Sequence, residues 1–365
     1  MHYFTFAEKD TTLYQGTGSL NAGLDEVLEI QKSVSDSGDS ISISRILVKF
    51  DITEISASMV NGTISNPSFY LNLYDAKSSD LNVSQSLYAY PVSQSWTMGQ
   101  GNSYDNPVTD EGASWNFRDG ATNGTLWGEV SSSGGNWIDG DGYVASHSIN
   151  HKTIDIRMNV TDIVNKWLTQ DITNEGFIVK RSGSIANTLN TTDEGNTTRF
   201  GNLSFFSSDT HTKYPPTLET VWNDSKWSTG SLSPLTQTNL EDMVVYMKGL
   251  RPEYKEKSKA RFRLVGRERF PEATYSTTPA NLSVKYLPSG SSFYSILDAE
   301  TDEVIVPYGS GSKISCDSTG NYFNLWLDGY QPERYYRLEF RVQSGSGVDE
   351  TNQYFNEGFT FKVTQ

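Results

Sequence analysis

One cysteine in 365 residues, Cys316, excludes an internal disulfide framework. It alternates with Ile314 in Lys313-Ile314-Ser315-Cys316 and reads as a small core residue rather than a nucleophile. Histidine is scarce too, at four residues. No apolar run approaches the roughly 20 residues a spanning helix needs, so no membrane insertion is expected. Positive charge is in deficit: 29 Lys and Arg stand against 44 Asp and Glu, a net charge of −15. That field repels phosphate backbones and argues against a nucleic-acid partner. The opening residues Met1-His2-Tyr3-Phe4-Thr5-Phe6-Ala7-Glu8 show neither a basic n-region nor an apolar h-region. No secretory signal is therefore expected, and folding in a reducing cytoplasm follows. Sequons such as Asn61-Gly62-Thr63 and Asn196-Thr197-Thr198 then reflect composition, not glycosylation.

What is present is β-forming. Hydrophobic residues at 36% and aromatics at 12% suffice for packed cores. The length favours two domains over one. Period-two alternation marks strands at Ile46, Val48, Phe50 and Ile52, at Phe69, Leu71 and Leu73, and at Ile154, Ile156, Met158 and Val160. Phe177 with Val179, Leu203 with Phe205, and Leu218, Thr220 and Trp222 continue the series. One helix interrupts it. Thr161-Asp162 is expected to cap a segment whose Ile163, Val164, Trp167 and Leu168 form an apolar stripe that plugs one end of a sandwich.

Between Ser93 and Ser148 the alternation breaks down. This Gly-, Ser-, Asn- and Asp-rich stretch reads as long surface loops anchored by Trp96, Trp115, Trp127 and Trp137. Asn223 to Pro234 reads as a linker. Alternation then resumes at Phe323, Leu325 and Leu327, at Tyr336, Leu338, Phe340 and Val342, and at Phe359, Phe361 and Val363. The expected fold is all-β: a jelly-roll-like sandwich over residues 1–222, a linker at 223–234, and a smaller immunoglobulin- or fibronectin-like sandwich over 235–365. The second domain carries an echo, Met247-Lys248-Gly249-Leu250-Arg251-Pro252-Glu253 against Leu327-Asp328-Gly329-Tyr330-Gln331-Pro332-Glu333. One sandwich using the turn twice or two packed subdomains would each produce it. In the second copy Tyr335 or Tyr336 is placed to act as a tyrosine corner.

An ordered series of segments across Met1 to about Trp222 resembles the DNRLRE family. It runs through Thr5 to Leu13, Ser44 to Ile52, Ser95-Trp96-Thr97-Met98-Gly99, Ala113 to Asp119, Ile156 to Trp167, and Gly201 to Asp209 followed by Tyr214 to Glu219. The sequence departs from the family where an Arg-Glu pair would fall, showing Ser208-Asp209. The resemblance implies a β-sandwich module with carbohydrate-binding relatives. More loosely, Arg267 to Pro271, Ser295 to Thr301 and Ser315 to Phe323 are similar to parts of virion structural proteins from large marine tailed phages.

Catalytic patterns are missing. There is no Gly-rich phosphate loop, no His-Glu-x-x-His and no Gly-x-Ser-x-Gly. His147 and His151 are four apart but have no evident third ligand. Asp139 and Asp141, in Asp139-Gly140-Asp141-Gly142, are either a polar turn or oxygen ligands for a structural calcium, the one candidate cofactor. Trp127 and Trp137, flanked by Gly and Ser, are the candidates for exposure and for stacking on sugar rings, with structural packing as the alternative. Arg251, Lys255, Lys257, Lys259, Arg261, Arg263, Arg267 and Arg269 form a basic cluster that is either a solvated face or a docking patch for an acidic neighbour.

The expectation is a non-enzymatic virion structural protein of a tailed phage, in the tail, neck or baseplate region. It would assemble in the host cytoplasm beside other virion proteins, in several symmetric copies. Its C-terminal domain would dock while the glycan-module-like domain faces outward toward host surface glycans. A free-standing carbohydrate-binding protein of an environmental bacterium is the alternative, and a polysaccharide-degrading enzyme a third reading.

Overall fold

The computed structural model describes every residue except 39, 80, 82–83, 121–123, 129–133, 151–153, 184–191, 236–241, 272–274, 276, 279–282 and 346. The fold is all-β and sandwich-type, with two short α-helices among the described residues. The chain divides into two compact units. One comprises Thr5–Val60 and Ser68–Thr220, the other Met1–Phe4, Asn61–Pro67 and Val221–Gln365. The chain passes between the units more than once, and residues 1–4 and 61–67 group with the C-terminal unit. Phe4 shows why: it lies in that unit's core, with its ring 6.3 Å from Tyr330.

The N-terminal unit is built on a nine-stranded sheet. In spatial order its main path runs Ile156–Asn159, Ser68–Leu73, Thr217–Val221, His2–Tyr14, Ile41–Phe50, Phe177–Lys180, Gln85–Pro91 and Ala145–Ile149, with Lys32–Val34 beside Ile41–Phe50. The first and last strands of this path approach each other, so the sheet curls nearly closed. Phe69, Leu71, Leu73, Val48, Phe50 and Met158 are fully buried, as the alternation requires. The helix Thr161–Leu168 buries Ile163, Val164 and Trp167. Trp167 lies 4.6 Å from Phe177, which in turn packs on Phe50. The expected cap is displaced: Thr161 is already helical, Val160 takes the cap position without a side-chain bond, and the Asn159 carboxamide oxygen accepts the Thr161 N–H. A second helix, Thr53–Val60, has no counterpart in the sequence reading. It starts from Asp51, whose carboxylate accepts the Thr53 N–H at 2.9 Å, and it buries only Ile55 and Ser58, too little for a visible stripe.

The C-terminal unit is one sandwich, not two subdomains. A six-stranded sheet including Lys259–Glu268 and Gly320–Trp326 faces a five-stranded sheet including Ser292–Asp298, Tyr335–Ser344 and Thr351–Thr364. A single aromatic core joins them, with Phe262, Phe323, Tyr294, Phe340, Tyr336 and Phe361 buried together. The rings of Phe262 and Phe323 stack at 5.3 Å, and those of Tyr294 and Phe323 at 4.3 Å. Tyr336 forms the corner: its hydroxyl donates to the Gln331 carbonyl at 3.0 Å. The two echoed turns flank the final strand, Pro252 accepting the Lys362 N–H at 2.8 Å and Glu333 donating to Val363 at 2.6 Å. The segment expected as linker is packed into this unit. Ser228 and Lys226 bond Cys316 backbone, and Ser233–Pro234 pairs with Lys285–Tyr286. Cys316 itself is buried, and burial pushes its thiol up to about 11.

Candidate functional site

The sheet of the N-terminal unit has a second covered face. In antiparallel pairing, residues directly opposite project to the same side. Ile43, Arg45 and Leu47 therefore share a side with Leu13, which faces Arg45, and with Ile178, which faces Leu47. Tyr90 lies opposite Ile178, and Tyr88 opposite Lys180. The Gly- and Ser-rich loops fold onto this side. Trp96, Trp115 and Trp127 pack with Leu13, Ile43, Leu47 and Ile178 into a compact apolar cluster. The expectation that Trp127 is exposed is corrected: it is 0% exposed, and its indole N–H donates to the Ser114 carbonyl at 2.8 Å. A glycine explains the close approach. A Cβ on Gly134 would meet the Trp115 ring at 2.6 Å and the Arg45 guanidinium at 2.7 Å.

Beside this cluster lies a group of buried cations. Arg45 makes a fork onto Glu194, with Nε to Oε1 at 3.0 Å and Nη2 to Oε2 at 2.7 Å, and its Nη1 donates to the Gly134 carbonyl at 2.7 Å. Lys180 bridges to Glu194 at 3.2 Å and donates to the Arg181 and Gly183 carbonyls, both at 2.9 Å. Arg181 donates to Gln85 and to the Gly201 carbonyl, each at 3.0 Å. Lys32 reaches Asn196 at 2.8 Å and the Asp193 carbonyl. All four cations are under 7% exposed, and Glu194 is the one acidic residue buried among them within the described residues. Burial pushes Lys180 and Lys32 down to about 8 and Arg181 down to about 10.

Aromatic rings carry the group toward the surface. Trp137 is half-buried, with Arg45 5.0 Å and Lys180 4.8 Å from its ring centroid. Tyr90 lies 6.0 Å from Trp137 and stacks on Tyr88 at 6.5 Å, and both tyrosines are half-buried. Tyr88, Tyr90 and Trp137 thus form a row of partly exposed rings backed by cations. Of this group only Trp137 is expected from the sequence. Arg45 and Lys180 sit inside strands, and Glu194 is remote in sequence. The one local signal was Tyr88-Ala89-Tyr90, two aromatics on one strand face.

The other expected sites fare differently. Asp139 and Asp141 are exposed, and the Asp139 carboxylate accepts its neighbour's N–H at 2.7 Å, as in a polar turn. Among the described residues, no group of three or more His, Cys, Asp and Glu side chains comes together as a metal site. His147 lies on the strand Ala145–Ile149, and His151 falls outside the described residues. The basic cluster is split between sheets: Lys255 belongs to Glu253–Lys255 in the five-stranded sheet, and Lys259 to Arg267 lie in the six-stranded one. Arg263 makes a bidentate pair with Asp317, both bonds 2.8 Å, and Arg261 lies 3.7 Å from the same carboxylate. The Lys259 ammonium lies 3.6 Å from the Trp326 ring centroid. Arg267 donates to the Glu268 carbonyl, and Arg269 to that of Met243. Arg251, Lys255 and Lys257 are exposed.

No family model matches the sequence, and no curated protein matches it. Among solved structures, the chain is similar to a DUF4785 family protein from Legionella pneumophila subsp. pneumophila str. Philadelphia 1. The identity is 10% and the TM-score 0.21, covering 98% of this chain and 65% of that one. It is also similar to an FMN-binding beta-glucuronidase from Facaelibacterium prausnitzii L2-6, at 9% identity and a TM-score of 0.15, covering 100% of this chain and 39% of that one. The chain thus spans less than two thirds of either neighbour, and at these TM-scores neither carries an argument about fold or activity.

Proposed function

We propose that this chain is a non-enzymatic presenting protein whose N-terminal unit recognises acidic glycans and whose C-terminal unit is held in a larger assembly. The observation that carries the reading is the row Tyr88, Tyr90 and Trp137 beside Arg45 and Lys180. Aromatic faces suit the C–H faces of sugar rings, and a cationic backing favours substrates bearing carboxylate or sulfate. The DNRLRE resemblance points the same way. The virion of a tailed phage is the assembly that the C-terminal resemblance implies, and a free-standing carbohydrate-binding protein is the alternative. Affinity electrophoresis through gels containing acidic or neutral polysaccharides tests the recognition. Migration should slow in the acidic gels only, Trp137→Ala and Tyr88→Ala should abolish the effect, and no reducing ends should be released. Unretarded migration on every acidic polysaccharide, or release of reducing ends, would sink the reading. Antibody labelling of phage particles separates the virion from the free-standing protein.

A further inference from the structure

Away from the aromatic row, two carboxylates in neighbouring segments of the N-terminal unit each carry a buried oxygen without a hydrogen-bond partner. Asp10 lies on His2–Tyr14 opposite Val48 and is only 1% exposed. Its Oδ2 accepts the Ser208 N–H at 2.8 Å, whereas its Oδ1 is buried without any hydrogen-bond partner. Asp209 follows Ser208 directly, and its Oδ2 is likewise buried and unpartnered. The turn that carries it is held firmly. Ser207 donates its hydroxyl to the Asp25 carbonyl at 2.6 Å and its N–H to Glu26 at 3.1 Å, and its hydroxyl accepts the Asp209 N–H at 3.1 Å. Burial pushes Asp10 up to about 7; the Ser208 hydrogen bonds oppose this and the charge of Asp209 adds to it. Two like charges brought together with empty acceptor oxygens are a costly arrangement in a packed interior.

We propose that Asp10 and Asp209 hold a divalent cation, with calcium the ion best suited to the site. Two carboxylates balance a charge of +2. Calcium accepts a flexible shell of six to eight oxygens that backbone carbonyls and water can complete, whereas magnesium demands tighter octahedral geometry. The ion ties the strand holding Asp10 to the turn after Leu203–Phe206, segments far apart in the chain. The site is unrelated to Asp139 and Asp141.

Isothermal titration of calcium into the chelator-stripped full chain tests this, paired with thermal unfolding with and without calcium. One calcium per chain should bind, and near-saturating calcium should raise the first unfolding transition by about 5 °C. Magnesium should do markedly less. Asp209→Asn, at the less buried position, should fold and lose both the uptake and the shift. Asp10→Asn should behave likewise, and if it fails to fold, Asp209→Asn and the wild-type titration decide alone. No calcium uptake by the wild-type chain, as for a pair sharing a proton or holding only water, overturns the proposal. So does a full calcium shift retained in Asp209→Asn.

Discussion

The two units treat charge in opposite ways. In the C-terminal unit the core is aromatic and cations pair at its margins: Arg263 with Asp317, Arg337 with Asp302 and Lys362 with Glu333. In the N-terminal unit, Arg45, Lys180, Arg181 and Lys32 are buried outright, held by Glu194, carbonyls and aromatic faces. A marginal pair keeps access to water and can lose a partner cheaply. A buried group cannot, because every removed partner leaves a charge in a poorly solvating medium. The N-terminal arrangement therefore demands one exact loop conformation, while the C-terminal unit demands mainly that its rings pack.

Substitutions can break that contrast. Glu194→Gln should show the largest effect, about 3–5 kcal/mol lost from the N-terminal unit, because Arg45 and Lys180 are left without their buried counter-charge. Guanidinium denaturation followed by tryptophan fluorescence reads it. Trp127→Ala should follow at about 3 kcal/mol or more, as expected for a fully buried indole, whereas Trp137→Ala should cost clearly less and act on binding. Equal costs would mean that Trp137 is packing, not surface. Tyr336→Phe should remove about 1 kcal/mol from the C-terminal unit, since only the hydroxyl bond to Gln331 is lost. Asp317→Asn should cost about 1 kcal/mol or less despite its bidentate partner, because both side chains remain partly hydrated. Should Asp317→Asn rival Glu194→Gln, the distinction between buried and marginal charge fails for this protein. A change of pH tests the same contrast without a substitution. Lys180 has a folded value near 8 against 10.5 unperturbed, so the unfolded chain binds the extra proton between them. This term is unfavourable in full below about pH 8 and is relieved as pH rises toward 10. Thermal melts should show the N-terminal transition gaining relative to the C-terminal one over that window.

The same contrast governs what could be read from sequence. Tyr335–Ser344 alternates cleanly, buried at Tyr336, Leu338, Phe340 and Val342, because only one of its faces meets the core. Ser292–Asp298 escaped notice because all seven of its residues are buried, including Ser295, which donates to the Val306 carbonyl. Ile41–Phe50 announced its inner face through Ile46, Val48 and Phe50, yet the opposite side, with Ile43, Arg45 and Leu47, is buried as well. A polar residue at an outward position reads as solvent-facing until something covers it. Here the covering loops carry the missing signal, and their tryptophans marked them as anchored without saying which ring would be buried.

By itself the sequence determined the all-β class, the inward faces of the alternating strands, the apolar stripe of the helix Thr161–Leu168 and the corner before Tyr336. Each of these follows from local periodicity or from turn chemistry within a few residues. Tertiary structure alone decided that the supposed linker packs, that Trp127 is buried, that the basic cluster is shared between two sheets, and that Glu194 meets Arg45 across 149 positions. Burial and counter-charge are properties of pairs of surfaces, and no single segment contains both members of such a pair.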